Sequence, residues 1–128
     1  MIIHKFKLKD ILDGDNEKNV FQTYLTIYSQ DYTVYTLIAS FNTTNQGAFG
    51  FNIQHRGTDQ GMMIVTQWIN NMTYTYKLHF PSSIFEKTLR KMLTGSIKEL
   101  SHNNLYHNNI DVVALINKII ENGTYVQN

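Results

Sequence analysis

Five histidines, His4, His55, His79, His102 and His107, are the first residues whose type could do chemistry, as metal ligands or proton carriers. A zinc site needs three or four ligands at spacings that converge on one point. His102 and His107 are five residues apart, which on a helix turns them about 140° away from each other. No HExxH pattern is present, and no carboxylate stands beside them at a ligand spacing. The economical reading is solvated loop histidines, and no metal and no cofactor is expected. The acidic run Asp13-Gly14-Asp15-Asn16-Glu17 suggests calcium, but an EF-hand loop would need Gly where Lys18 stands and Glu where Tyr24 stands.

Nucleophilic and phosphate chemistry find as little. With no cysteine, disulfides, thiolate metal sites and cysteine nucleophiles are excluded. The glycine-bounded segments Gly47–Phe51 and Gly57–Gly61 lack the spacing of phosphate-cradling loops, and there is no GxSxG elbow. Asp10, Asp13, Asp15 and Asp59 fall in predicted loops, and Glu86, Glu99, Asp111 and Glu121 on predicted helices. None has the apolar flanks that would tune a carboxyl for acid–base work. The chain is therefore expected to be non-enzymatic. Nucleic acid is disfavoured as a partner, because two arginines and a formal charge of +1 give little counterion release.

The elements that would position any site fall into two regimes. From Val20 to Phe80 apolar residues recur with period two between short polar breaks. Strands are predicted over Val20–Ser29, Tyr32–Phe41, Ala48–His55, Met62–Ile69 and Met72–Phe80, rich in the Tyr, Phe, Thr, Ile and Val that suit a pleated surface. Breaks this short imply antiparallel hairpins, since parallel neighbours need long crossovers. A further strand is predicted over Ile3–Lys9, its Lys5, Lys7 and Lys9 protecting a sheet edge.

After Phe80 the period becomes helical. Ser83 and Glu86 form a capping box ahead of an apolar stripe of Ile84, Phe85, Leu89, Met92 and Leu93. A second helix starts near Asn109–Asp111, carries Val112, Val113, Leu115, Ile116, Ile119 and Ile120, and stops at Gly123. His102–Asn109 reads as loop. The expected fold is α+β: an antiparallel meander of about six strands, flat or curled, followed by two or three helices. It forms one domain over 1–128, with the sheet in 1–80 and the helical part in 81–123.

Within this frame the strongest signal is an absence. Between Asn19 and Phe80 the only charged side chains are Asp31, Arg56, Asp59 and Lys77, and the first three lie in or beside predicted turns. A sheet with one wet face normally alternates apolar with charged residues. Here the alternate positions are assigned to Tyr24, Thr26, Tyr28, Tyr32, Val34, Ile38, Met63, Val65, Ile69, Thr73 and Thr75. The other set, Phe21, Leu25, Ile27, Leu37, Phe41, Phe49, Phe51, Ile53, Tyr74, Tyr76 and Leu78, is plainly core.

Both faces thus look half-buried, and three explanations compete with an ordinary two-layer domain that has a Thr/Tyr outer face: a sheet curled into a partial barrel, a homodimer, or a docked partner or ligand. Tyr24, Tyr28, Tyr32, Arg56 and Trp68 are the candidate binding residues, because aromatic and arginine anchors dominate interface energetics. Residues of AT-rich codons (Phe, Tyr, Met, Ile, Asn, Lys) make up 57 of the 128 positions, which points to a low-GC host, a phage or a mobile element. The expected function is that of a cytoplasmic accessory protein binding a host protein as a steric inhibitor or modulator. The alternative is a binder of an aromatic or nucleotide-like small molecule. No signal-peptide-like run opens the sequence and no window has the ~18 apolar residues of a membrane span, so no membrane role is expected.

Overall fold

The computed structural model describes residues 5–14, 19–27, 34–92, 104–106 and 112–126. Strands β1 (Asn19–Ile27), β2 (Val34–Asn42), β3 (Ala48–Arg56), β4 (Gln60–Ile69) and β5 (Met72–Pro81) form a continuous antiparallel meander. Two short strands extend it. β6 (Asn104–Tyr106) pairs with β1, and β7 (Thr124–Tyr125) pairs with β5, giving the order β6-β1-β2-β3-β4-β5-β7. The order is linear, and the sheet is not closed into a barrel. The helices among the described residues are α1 (Lys5–Gly14), α2 (Ser82–Met92) and α3 (Val112–Asn122). The expected α+β architecture of a meander with mostly C-terminal helices is what the chain forms.

Strict alternation explains the sheet. In β2, β3 and β4 every second residue is buried and the residues between are partly exposed. Leu37, Phe41, Phe49, Phe51, Ile53, Met63, Val65 and Leu78 point to one face, where they meet Leu8 and Leu12 of α1, Phe85 of α2, and Leu115, Ile116, Ile119 and Ile120 of α3 in one core. Each such side chain is worth about 1.5–3 kcal/mol when removed from water. Phe85 stacks on Tyr35 at 3.8 Å between ring centroids, which fixes α2 over the β2 end of the sheet. The β4–β5 hairpin turns at Asn70 and Asn71, with φ of 53° and 62°, the left-handed pair that matches the twist of a two-residue hairpin.

Several expectations are corrected. The segment predicted as a strand over Ile3–Lys9 is helix α1 from Lys5 onward. Leu8, Ile11 and Leu12 recur at helical spacing, and Leu8 and Leu12 are fully buried while Lys9 pairs with Asp13 one turn on at 2.8 Å. Lys9 is therefore not an edge guard, and the sheet does not begin in the first residues. Nor does it end at 80, since β6 and β7 both follow α2. Asn104–Tyr106, read as loop, is strand. Met63 and Val65 lie on the helix-covered face with Phe51 and Ile53, and Ile69, two and four residues further along β4 than Gln67 and Val65, shares their parity. Helix α2 starts one residue before the expected cap, at Ser82. Asp15, Asn16 and Glu17 of the acidic run, and Leu93 at the end of the predicted apolar stripe, lie outside the described residues.

Candidate binding face and the cleft at its end

The face away from the helices is laid out by register in four rows running across β2, β3, β4 and β5. They are Asn42–Ala48–Trp68–Thr73, Ser40–Gly50–Thr66–Thr75, Ile38–Asn52–Ile64–Lys77 and Thr36–Gln54–Met62–His79. Directly opposed side chains in such rows have Cβ atoms about 4.5–5.5 Å apart, so each row is a contiguous strip. Lys77 is the one formal charge in all four, with Arg56 just beyond the last row at the end of β3. The remainder is hydroxyl, amide, aliphatic and aromatic. None of the described helices covers this face, and its residues are partly to fully exposed.

Trp68 anchors one end. It is 46% exposed, and its indole reaches diagonally across Gly50, where a Cβ would stand 2.9 Å from Cη2. Glycine there is what lets the ring lie flat on the sheet. The backbone of Trp68 is held from the other side. Gly47, at φ +78°, ends the β2–β3 loop so close to the Trp68 carbonyl that any side chain would collide with it. That loop is closed by bonds from the Thr43 amide and hydroxyl to the Gly47 carbonyl, each 2.9 Å, and tied to β4 by the buried Gln67, whose amide donates to the Gln46 carbonyl at 2.8 Å.

At the other end, beside the β3–β4 hairpin, lies a shallow cleft of about 390 Å³ lined by Gln54, Arg56, Thr58, Gln60, Met62 and His79, with Gly61 and His55 at its base. The hairpin is held from beneath. His55 is 3% exposed on the core side, and its Nε2 donates to the Thr58 carbonyl, which also accepts the Ser82 hydroxyl at 2.9 Å. The Ser82 amide bonds the Asp59 carbonyl at 2.9 Å, so the first residue of α2 locks the hairpin that carries Arg56. Behind it, Tyr35 packs against both His55 and Phe85, and burial pushes its phenol well above the ordinary range, helped by the nearby Glu86 carboxylate.

The candidate residues are thus distributed unevenly. Arg56 lines the cleft and Trp68 stands at the far end of the same face, about 20 Å along β4 from Met62 by strand rise. They do not form one pocket. Tyr24 pairs with Ile38 and Tyr106, which extends the third row across β1 to β6 at the edge of the sheet. Tyr28 and Tyr32 lie outside the described residues, as do His4, His102 and His107. His55 and His79 sit on opposite faces. Among the described residues no three His, Asp or Glu converge as a metal site would require, and no helix is long and apolar enough to cross a membrane.

The sequence reading overlooked His79 as a neighbour of the Arg56 hairpin, although the signal was present. A two-residue turn at Asn70-Asn71 dictates that Met62 faces His79. Comparison with known proteins adds no identity: no protein-family model matches the chain, and no curated protein or solved structure matches it.

Proposed function

We propose that the chain is a non-enzymatic binding protein that acts by laying its uncovered sheet face on another protein. The single observation that carries this reading is a four-strand face, free of described helices, that holds one lysine, no carboxylate and a half-exposed tryptophan. Interface cores are depleted of charge and enriched in aromatic side chains, whereas an ordinary solvent face carries Lys and Glu. The AT-rich composition supports an accessory protein of a phage or mobile element, working in the cytoplasm as a steric inhibitor or modulator of a host protein. Affinity chromatography of host lysate on the wild type and on a Trp68→Ala, Ile64→Lys variant tests it. A stoichiometric partner retained by the first and lost by the second is the expected result. Repeated failure to recover one, or equal retention by both, overturns the reading. Self-association through the same face is read separately by light scattering, where a dimer dissociated by the same two substitutions would assign the face to a second copy.

A second reading, binding of an aromatic or nucleotide-like small molecule, has one observation of its own, the cleft beside Arg56. A low-mass ligand retained in native mass spectrometry of the purified chain would favour it.

A further inference from the structure

We infer that the cleft beside the β3–β4 hairpin takes the carboxylate of an acidic side chain presented by a protein partner, with Arg56 as its principal ligand. The inference rests on the protein-binding reading and names the chemistry of one contact within it. No carboxylate lines the cleft, and Arg56 makes no ion pair among the described residues. Asp59, three residues on at the hairpin tip, stands outside the lining. Among the described residues the guanidinium is thus an uncompensated cation on an otherwise almost uncharged face.

The neutral groups around it are donors. One N–H of the Gln54 amide is spent on the Asn52 side-chain oxygen at 2.9 Å, which orients the amide and leaves its second N–H for a ligand. Gln60 and the His79 ring face the same space, and an imidazole offers an N–H donor whether neutral or charged. Thr58 is occupied, its hydroxyl donating to the Gln60 carbonyl at 2.8 Å, so it braces the wall.

The count of cations selects the ligand. One guanidinium fork matches the two oxygens of a singly charged carboxylate in a bidentate pair. A phosphate dianion or a nucleic-acid backbone calls for clustered cations, and the other one on the face, Lys77, stands two rows away from Arg56 and outside the cleft. The bracing of the hairpin by His55 and Ser82 fixes the backbone that carries Arg56 before any partner arrives, so only the side chain has to be ordered on binding.

The test uses the isolated full chain and therefore needs no partner. A blocked tripeptide, acetyl-Gly-Glu-Gly-amide, its Gln counterpart and inorganic phosphate are titrated separately while backbone amide resonances are followed. The Glu peptide is expected to shift residues 54, 56, 60 to 62 and 79, and the Gln peptide to leave them unmoved. Arg56→Gln should weaken the Glu peptide about fivefold or more, and Arg56→Lys by less, because charge remains and the fork is lost. His79→Gln is the second variant, expected to weaken binding without abolishing it. Equal shifts with both peptides, an unchanged titration in Arg56→Gln, or tighter binding of phosphate than of the Glu peptide each overturns the inference. A host partner held equally by wild type and Arg56→Gln also overturns it while leaving the binding-face reading intact. Selective binding of the Glu peptide without any recoverable host protein supports the cleft and removes the wider reading.

Discussion

Gly61 and Phe80 are directly paired across β4 and β5, beneath the cleft and beside the start of α2. The backbone at Gly61 lies in an ordinary strand conformation, so replacing it by alanine tests space alone. The added methyl carbon would stand 2.7 Å from Cε2 of Phe80 and 3.1 Å from Cε1, with Cζ closer still, against the 3.5–4.0 Å or so of relaxed carbon contacts. The ring would have to withdraw by about 1 Å. It is 1% exposed and packed against Phe85, so it has no free space to withdraw into. Overpacking of this kind costs about 1–3 kcal/mol, and the shortness of the contacts places Gly61→Ala in the upper half of that range. Equilibrium denaturation in urea, followed by far-UV circular dichroism, should show a lowered midpoint with an unchanged slope. Phe80→Leu is destabilising alone through the lost ring, yet in the Gly61→Ala background it should restore stability. The double variant should be at least about 1 kcal/mol more stable than the sum of the single effects predicts. A Gly61→Ala protein within about 0.5 kcal/mol of wild type, or strict additivity, would refute the reasoning.

Other expectations follow from the same geometry. Burial raises the phenols of Tyr35 and Tyr125, so above pH ~10 the unfolded chain loses protons that the folded chain keeps. Stability is then flat below that pH and falls above it, at up to about 1.4 kcal/mol per pH unit for the fully buried Tyr35 and less for the half-buried Tyr125. Denaturation curves from pH 8 to 11 should show the loss, and Tyr35→Phe should remove most of it. At the β4–β5 turn, Asn71→Val should cost about 1–2 kcal/mol and Asn71→Gly almost nothing, because a β-branched residue resists a φ of 62°. Trp68 is the only tryptophan, so its fluorescence reports the proposed binding face directly. Acrylamide should quench it readily in the isolated protein and much less in a partner complex, and unchanged quenching in a stoichiometric complex would take Trp68 out of the interface.

The meander was legible because period-two burial survives wherever both neighbours of a strand are strands, as in Val34–Asn42 and Ala48–Arg56. The Asn70-Asn71 turn was readable for the same local reason. The first element was misread because a five-residue window, Lys5 to Lys9, alternates as well as any strand. Only the continuation to Ile11 and Leu12 reveals the helical stripe that α3 covers. β6 left no signal, since three residues become a strand only by pairing with Tyr24, Leu25 and Thr26 some eighty positions earlier.

Met63 and Val65 were placed on the wrong face because residue type was weighed where register should have decided. Arg56 and Trp68 were both identified as anchors, but their separation depends on pairing: Trp68 faces Ala48 at the opposite end of β3 from Arg56. Tyr28 and Tyr32 fall outside the described residues, so their place on the face rests on the sequence alone.

The edges of the sheet have a consequence for the nascent chain. All five long strands have been synthesised once Pro81 is made, but β6, β7 and the four buried residues of α3 are still to come. A meander formed at that stage would have two bare hydrogen-bonding edges and much of its apolar face uncovered. Edges of that kind recruit strands from other molecules. The last quarter of the sequence thus adds to three sides of the molecule: it pairs Tyr24–Thr26 on one edge, Leu78 and His79 on the other, and lays a helix on the core between them. A polypeptide stalled before residue 104 would leave the ribosome as a ready template for its own aggregation.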